Sequence, residues 1–256
     1  MASAKQSSSS SKSRRRWPWI LVFLVVALAG TYLAYSEPRP EGEAGPAADA
    51  LAQEMMQAVN VEAWHRTGAV QWSFRGQRHH LWDRQRQLVR VAWDDVEVLV
   101  NLGDQSGRAW KNGQEVQGEK ADKLVRKAYE GWINDSFWLN PVVKVFDDGT
   151  ERSLVEVSDG RGLLVQYTSG GVTPGDAYLW IVGEDGLPTK WKMWTSNLPI
   201  GGMDASWEDW VTLSTGAQVA TGHKLAIARV DLEDVAGAAT LEELLDGGAD
   251  PFAPLF

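Results

Sequence analysis

One helical stretch interrupts a chain that otherwise alternates in the manner of β-strands. Between Glu119 and Ile133, apolar residues recur at the three- and four-residue spacing of a single helix face, with lysines opposite. The overlapping segment from Gly131 to Asp148 then brings five large apolar side chains close together: Trp132, Phe137, Trp138, Leu139 and Phe146. Pro141 lacks an amide donor and restricts the residue before it, so it ends any helix. We expect a helix, ending in an apolar plug, that lies across the mouth of a curved sheet.

The segments on both sides of this helix alternate apolar and polar residues with period two. Valine and aromatic residues occupy one face of each segment, as in Val70–Arg75, Val89–Trp93 and Val96–Val100, which is typical of strands buried on one side. Similar strands are expected after the helix, at residues 154–157, 163–167, 177–182, 189–194, 205–212 and 219–230. Turn signals separate the segments at Asn112-Gly113, Asp148-Gly149, Asp159-Gly160, Thr173–Asp176 and Asp185-Gly186.

These patterns predict an α+β fold built on an incomplete antiparallel β-barrel that wraps two or three helices. A second helix is expected from Pro46 to about Asn60, where Leu51, Met55 and Val59 share a face. A short C-terminal helix is expected after Thr240, which forms a capping-box pattern with Glu243.

The N-terminal part of the chain is expected to lie outside this fold. Residues 1–16 carry a serine run and five basic residues and predict a disordered, basic N-terminus. Residues 17–35 contain no charge and suffice to cross a bilayer, with Trp and Tyr at both ends, so we expect a transmembrane anchor. A cleaved secretory signal ending near Ala27-Leu28-Ala29 is the alternative. Residues 36–45 predict a linker, and residues 46–256 the folded domain.

Charge and cysteine content exclude several classes of function. The first sixteen residues carry +5, so the remaining residues carry −14, which argues against nucleic acid as a partner. The basic flank of the anchor is expected on the cytoplasmic side, which exports the domain. The chain has no cysteine, which excludes disulfides, thiolate catalysis and zinc–thiolate sites.

No catalytic, metal-binding or cofactor-binding motif stands out. The adjacent His79 and His80 point to opposite faces of a strand, so one metal ion could not easily bind both. The carboxylate pairs Asp94-Asp95 and Asp147-Asp148 lie in predicted turns, where Asp is common for local hydrogen-bonding reasons. Neither a nucleophile elbow nor a phosphate loop is present. We therefore expect a binding protein without a cofactor, not an enzyme.

Tryptophan is the unusual component of this sequence. There are fourteen, twelve of them beyond residue 60, and each removes roughly 150–250 Å² from water when buried. They could be ordinary core, or some could line a cavity for an apolar ligand. The candidate lining residues on the predicted strands and plug are Trp72, Phe74, Trp93, Trp138, Trp180, Trp191 and Trp207.

Several local motifs resemble those of an outer-membrane lipoprotein-sorting-like branch of the LolA/LolB-like lipoprotein carriers. They are W-I-N-D-S-F-W-L-x-P at residues 132–141, V-F-D-D-G at 145–149, T-P-G-D at 173–176, D-G-L-P-T-K-W at 185–191 and W-x-D-W at 207–210. The resemblance covers roughly residues 47–225. It implies a half-barrel that wraps around helices and holds acyl chains in an apolar cavity. The family's functional arginine could correspond to Arg75, Arg78, Arg84 or Arg86.

Three functions follow as hypotheses from the residues and from the resemblance. The first is an inner-membrane protein whose domain faces the bacterial periplasm and binds a lipid or a lipidated protein, for transport or sorting. The second is an envelope stress-sensing or assembly module that binds a protein partner through the same fold. The third is a hydrolase.

Overall fold

The computed structural model describes Ile20 and residues 36–169, 174–198, 200–226 and 228–256. The predicted N-terminus (1–16) and the predicted membrane span (17–35) lie outside the described residues, apart from Ile20. Part of the turn predicted at 173–176 does so too. Within the described ranges, no helix combines the length and the hydropathy that a bilayer crossing requires.

Four helices and fifteen strands make up the described fold. The helices are α1 (Pro46–Ala58), α2 (Val61–Arg66), α3 (Glu119–Leu139) and α4 (Leu241–Leu244), with 3₁₀ turns at Pro141–Lys144 and Ala253–Leu255. The strands are β1 (Glu43–Ala44), β2 (Ala69–Phe74), β3 (Arg78–Asp83), β4 (Leu88–Trp93), β5 (Val96–Asn101), β6 (Gly107–Lys111), β7 (Gln114–Val116), β8 (Thr150–Val155), β9 (Arg161–Tyr167), β10 (Ala177–Val182), β11 (Pro188–Trp194), β12 (Met203–Ser206), β13 (Glu208–Thr212), β14 (Gln218–Lys224) and β15 (Arg229–Ala238).

The strands form two large antiparallel sheets that do not close into a barrel. The six-stranded sheet has the order β1-β8-β9-β10-β11-β12, and the nine-stranded sheet the order β13-β14-β15-β2-β3-β4-β5-β6-β7. Trp207 stands between β12 and β13, and its amide donates to the Thr189 carbonyl at 2.7 Å. A bridge between Ala205 and Leu225 also joins the sheets. The predicted α+β class with an open antiparallel architecture is therefore confirmed.

The two long helices cover the apolar faces of the sheets. Helix α1 buries Leu51 and Met55 in a core that also contains residues of β9, β10 and β11. Helix α3 buries Val125 and Ala128 against β4, β5 and β6. Its C-terminal residue Leu139 packs with β2 and β14. Helix α3 thus lies across the nine-stranded sheet and ends where the two sheets meet.

Three local predictions require correction. The plug is part of the helix itself, because α3 continues to Leu139 and ends only before Pro141, six residues beyond the predicted end. Ala128, Asp135 and Leu139 continue its buried stripe, and the charge of Asp135 interrupts the apolar pattern used to place the end. Asp148-Gly149 does not form a hairpin, since it leads from the 3₁₀ turn into β8. The segment predicted as one strand at 205–212 divides at Trp207.

Residues 36–44, which the sequence predicts to be part of a linker, are bonded to the six-stranded sheet. The Glu37 amide donates to the Gly201 carbonyl at 2.9 Å, and the Glu37 carbonyl accepts from Trp194 Nε1 at 2.8 Å. Lys192 Nζ pairs with the Glu37 carboxylate at 2.6 Å. Farther along, β1 pairs with β8, at the opposite edge of the sheet from β12. The chain therefore reaches α1 along a fixed path, while the domain boundary at residue 45 stays a prediction.

Candidate functional site

The candidate site is the inner face, which we define as the surfaces of both sheets that α1 and α3 cover. Strand alternation places Trp72 of β2 beside His80 of β3 on this face, since these residues are direct partners in the antiparallel register. The same alternation pairs Trp180 of β10 with Trp191 of β11. Period two in the sequence is thus what brings these large side chains under the helices.

Four tryptophans form one aromatic cluster, consisting of Trp138, Trp180, Trp191 and Trp207. The ring centroids of Trp191 lie 5.2 Å from Trp138, 4.9 Å from Trp180 and 4.9 Å from Trp207. Phe137 of α3 adds a stacked contact with Trp191 at 5.9 Å. These separations are in the range where aromatic pairs contribute about 0.5–1.5 kcal/mol each beyond the burial of area. The end of α3 is thus joined to both sheets by rings.

The structure brings six of the seven predicted lining residues into two adjoining cores. The aromatic cluster holds four of them, and Trp72 and Phe74 belong to the neighbouring core, which Trp138 also contacts. Trp93 lies apart at the margin, with Lys127 of α3 over its ring at 4.9 Å. Side chains of α1 and α3 pack against the residues of these two cores. Their role in ligand binding stays a prediction.

Two open grooves lie elsewhere on the surface. One, of about 1300 Å³, is lined by β1, α1, β8 and β9 and includes Leu51, Val157 and the paired Glu54 and Arg161. The other, of about 290 Å³, lies along the charged outer side of α3. None of the seven predicted residues borders either groove. Neither groove reaches the aromatic cluster, against which side chains of α1 and α3 pack.

A polar centre, consisting of Arg78, His80 and Asp135, connects α3 to β3. Asp135 is fully buried and accepts from Arg78 Nε at 2.6 Å and Nη2 at 2.9 Å. His80 Nε2 lies 2.7 Å from Asp135 Oδ2. Asn134 adds a bond to Oδ1 at 2.9 Å. One carboxylate of the helix is therefore held by two side chains of the same strand.

Burial decides the protonation state of the polar centre's imidazole. It lowers the pKa of His80, and this effect exceeds the opposing effect of the hydrogen bond that His80 donates to Asp135. A neutral imidazole facing a carboxylate carries its proton on Nε2 and donates it, which leaves Nδ1 as an acceptor. Nδ1 is buried and has no partner among the described residues. The ring itself stacks on Trp72, with centroids 4.5 Å apart.

Buried polar atoms without a partner are concentrated on the inner face. Eight such side-chain atoms occur in the part of the chain that the structure describes. They are Trp72 Nε1, His80 Nδ1, Trp82 Nε1, Trp132 Nε1, Asn140 Nδ2, Trp191 Nε1, Trp207 Nε1 and His223 Nε2. Each unpaired buried polar group costs about 1–3 kcal/mol, and folded proteins usually pair them. The inner face therefore offers hydrogen bonds that its own residues do not use.

A second buried histidine lies beside the aromatic cluster. The ring of His223 is 4.4 Å from Trp207 and 5.2 Å from Trp138, and its Nδ1 donates to the Ser206 carbonyl at 3.1 Å. Burial lowers the pKa of His223 to about 4. Both inner-face histidines are therefore uncharged at neutral pH.

A serine, a histidine and an aspartate also meet on the opposite side of β2. Ser73 Oγ lies 2.7 Å from His79 Nδ1 and 3.1 Å from Asp234 Oδ2. A bulge in β15 at Glu233 to Ala236 turns Asp234 toward the serine. The carboxylate bonds the hydroxyl and not the imidazole, so the bond that orients the base in a catalytic triad is missing. Across the described residues, no three His, Asp or Glu side chains are grouped closely enough to hold a metal ion.

The comparisons with known proteins give little beyond this geometry. No protein-family model matches the chain, and no curated protein matches it. The chain is similar to a crystal structure of a DUF1329 family protein from Desulfovibrio piger, at 10% sequence identity and a TM-score of 0.39. That match covers 77% of this chain and 96% of the other. This similarity is a distant likeness in fold and supports no conclusion about function.

The sequence predicted the aromatic residues of the site but not its polar ones. Asp135 follows Arg78 by 57 residues, and no motif connects them. A usable signal was present, since Asp135 lies on the buried stripe of a helix where a charge requires a partner. The alternation also predicts that His80 is buried, because it shares a face of the sheet with Trp72 and Trp82.

Proposed function

We propose that this chain binds a lipid or a lipidated protein between α3 and the inner face of its sheets. The observation that carries the proposal is a broad aromatic surface, with unused buried hydrogen-bonding atoms, that α1 and α3 cover. Helix α3 contributes Trp132, Phe137 and Trp138 to this contact. An acyl chain would take the place of these side chains once α3 moves away.

Burial of an acyl chain that enters from water offsets part of the cost of moving α3. Breaking the polar centre costs about 3–5 kcal/mol when one partner of a buried ion pair is lost. Burying an acyl chain of about sixteen carbons gains roughly 0.8 kcal/mol per CH₂, or about 13 kcal/mol as an upper value. The buried acyl chain can therefore compensate for the free energy lost with the polar centre and for part of that lost with the aromatic contacts of α3. Polar atoms of the ligand would give the unpaired nitrogens of Trp72 and Trp191 their acceptors.

The N-terminal sequence supports a location for this binding. The uncharged span 17–35 after a basic segment is that of an inner-membrane anchor, or of a signal peptide, with residues 36–256 exported. The motif resemblance to lipoprotein carriers agrees with a periplasmic domain that receives lipid. We propose a carrier or sorting function in the bacterial envelope, by binding and not by catalysis.

A photoreactive fatty acid tests the proposal on the full chain in lipid nanodiscs. After irradiation, modified peptides are mapped by mass spectrometry. We expect labels on peptides that contain Trp72, Trp138 and Trp191. We also expect Asp135→Asn to increase this labelling, because it weakens the attachment of α3, whereas the exposed Asp147→Asn should not.

Two outcomes would contradict the proposal. Labels confined to residues 17–35 would show that the probe meets the anchor and not the domain. Capture of one stoichiometric protein partner, with no lipid at the inner face, would favour the alternative function, a sensing or assembly module.

A further inference from the structure

Arg84 lies at the end of the inner face next to α2. It directly follows β3, and because it lies two residues after Trp82, it shares the face of the sheet on which Trp82 lies. Its guanidinium carbon is 4.5 Å from the ring centroid of Trp64 and 5.3 Å from that of Trp82. Nη1 donates to the carbonyls of Trp64 and Thr67, at the C-terminal end of α2. The guanidinium is thus fixed between two indoles, with Nε and Nη2 unbonded among the described residues.

This arginine differs from the other inward or paired arginines in having no acidic partner. Arg78 binds Asp135, Arg86 binds Asp83 and Asp250, and Arg152 binds Asp49. Among the described residues, no carboxylate forms an ion pair with Arg84. Burial alone lowers the pKa of Arg84 to about 10, so the group keeps its charge at neutral pH. A half-buried cation of this kind lacks the counter-charge that such groups require.

Two further donors without acceptors lie on Trp82, whose ring contacts Arg84, and on Trp132, whose ring contacts Trp82. Trp82 Nε1 and Trp132 Nε1 are both buried and unpaired, and the two rings are 5.2 Å apart in an edge-to-face arrangement. Trp132 belongs to α3, the helix that would move when a ligand enters. The local chemistry is therefore a fixed guanidinium with Nε and Nη2 unbonded among the described residues, and two indole N–H groups without acceptors.

We propose that Arg84, with Trp82 Nε1, binds the anionic phosphate headgroup of the amphiphile whose chain lies on the inner face. This inference rests on the proposed function and names the chemical class of its ligand. A planar guanidinium can donate two parallel hydrogen bonds to a phosphate, and the flanking indoles hold its plane in place. The acyl chain then extends from Trp82 toward Trp72 and the aromatic cluster.

The test compares photoreactive lipids that share one acyl chain but differ in headgroup. The full chain in phosphatidylcholine nanodiscs is irradiated with a phosphate monoester lipid, with a phosphocholine lipid and with an uncharged glycerol ester. We expect labelling of inner-face peptides to be about tenfold higher for the phosphate monoester than for the glycerol ester. Arg84→Gln should remove this preference. Arg66→Gln deletes a nearby exposed charge and should leave the preference unchanged.

A second variant keeps the test decisive if Arg84→Gln does not fold. Trp82→Phe retains a ring of similar position and removes only the N–H donor, so it should reduce phosphate-lipid labelling several-fold and leave the glycerol ester unaffected. Arg84→Lys retains the charge but not the planar fork, and we expect an intermediate preference.

Each contrary result has a distinct meaning. Equal labelling by all three lipids in the wild type and in Arg84→Gln overturns the headgroup site and leaves the proposed function standing. Complete displacement of the phosphate lipid by excess inorganic phosphate also overturns it, because the site would then bind a free anion. Absence of inner-face labelling with every lipid overturns the proposed function itself.

Discussion

The aromatic cluster and the polar centre both attach α3 to the sheets, but by different chemistry. The aromatic cluster joins Trp138 of the helix to Trp191 and its neighbours through rings alone. The polar centre joins the helix through one carboxylate, Asp135, to Arg78 and His80. Burial of apolar rings is largely non-directional, so in the proposed function an acyl chain would take their place. The ion pair requires its own partners on β3, so it specifies the observed position of α3.

The largest expected effect is in the aromatic cluster. Trp191→Ala removes a fully buried ring that contacts three other tryptophans, and should lower the free energy of unfolding by about 5 kcal/mol. Urea unfolding followed by circular dichroism measures this change. Trp210→Ala is the control, because its half-exposed ring should cost much less. Similar losses in the free energy of unfolding at the two positions would show that the cluster stabilises the fold no more than a half-exposed ring does.

The next effect is in the polar centre. Asp135→Asn leaves Arg78 and His80 without their carboxylate, and we expect a loss of about 4 kcal/mol in the same measurement. Asp147→Asn, at the exposed pair with Lys144, should change stability by less than about 1 kcal/mol. If Asp135→Asn proves as mild as Asp147→Asn, the ion pair does not hold α3.

Acid should lower the free energy of unfolding through protonation of His223, which contacts the aromatic cluster. Its pKa is lowered from 6.5 to about 4 in the folded state, so the unfolded chain binds the proton first as pH falls. The contribution of neutral His223 to the free energy of unfolding is therefore fully present above pH 6.5. It declines toward pH 4, by about 3 kcal/mol at 1.36 kcal/mol per pKa unit. Depression of the His80 pKa acts in the same direction.

The measurement is the urea midpoint as a function of pH in the wild type and in His223→Gln. The variant should show a flatter dependence between pH 6.5 and 4, while the exposed His65→Gln should keep the wild-type slope. Identical slopes in all three proteins would contradict the assignment to His223.

The smallest effect concerns the glycine that allows the polar centre to form. A Cβ at Gly131 would lie 3.1 Å from Arg78 Nη1, and Arg78 is fixed by two bonds to Asp135. Gly131→Ala should therefore destabilise by about 1 kcal/mol, despite the better helix propensity of alanine. In an Arg78→Met background, where the guanidinium is absent, the same change should stabilise by about 1 kcal/mol. Stabilisation in both backgrounds would rule out the steric role.

Much of the fold could be predicted from local patterns. The strand at Ala177–Val182 was predicted with its observed bounds, and Asn112-Gly113 forms the expected hairpin turn with both residues at positive φ. The Thr240 hydroxyl caps α4 by accepting from the Glu243 amide at 3.1 Å. These features depend on neighbouring residues, which the sequence displays directly.

Other features depend on contacts between distant segments. The apolar pattern predicts the end of α3 too early, because a buried Asp135 is not expected unless its partners on β3 are known. Helix α2 was missed because it has only six residues, and its start depends on Asn60 in a left-handed conformation. The position of Arg84 between Trp64 and Trp82 follows from the packing of α2 on β3. No local pattern reports such packing.

The proposed function requires that α3 leaves the inner face when an amphiphile binds. Because the chain has no cysteine, spin labels can be placed cleanly at Lys123→Cys on α3 and at Glu233→Cys on β15, both exposed. Double electron–electron resonance on the full chain in nanodiscs then measures their distance with and without a phosphate-headed lipid.

A label at Gln53→Cys on α1, paired with Glu233→Cys, serves as the reference, because α1 has no part in the polar centre. We predict that bound lipid lengthens the Lys123–Glu233 distance and leaves the Gln53–Glu233 distance unchanged. A Lys123–Glu233 distance that stays constant while the lipid is bound would contradict the account.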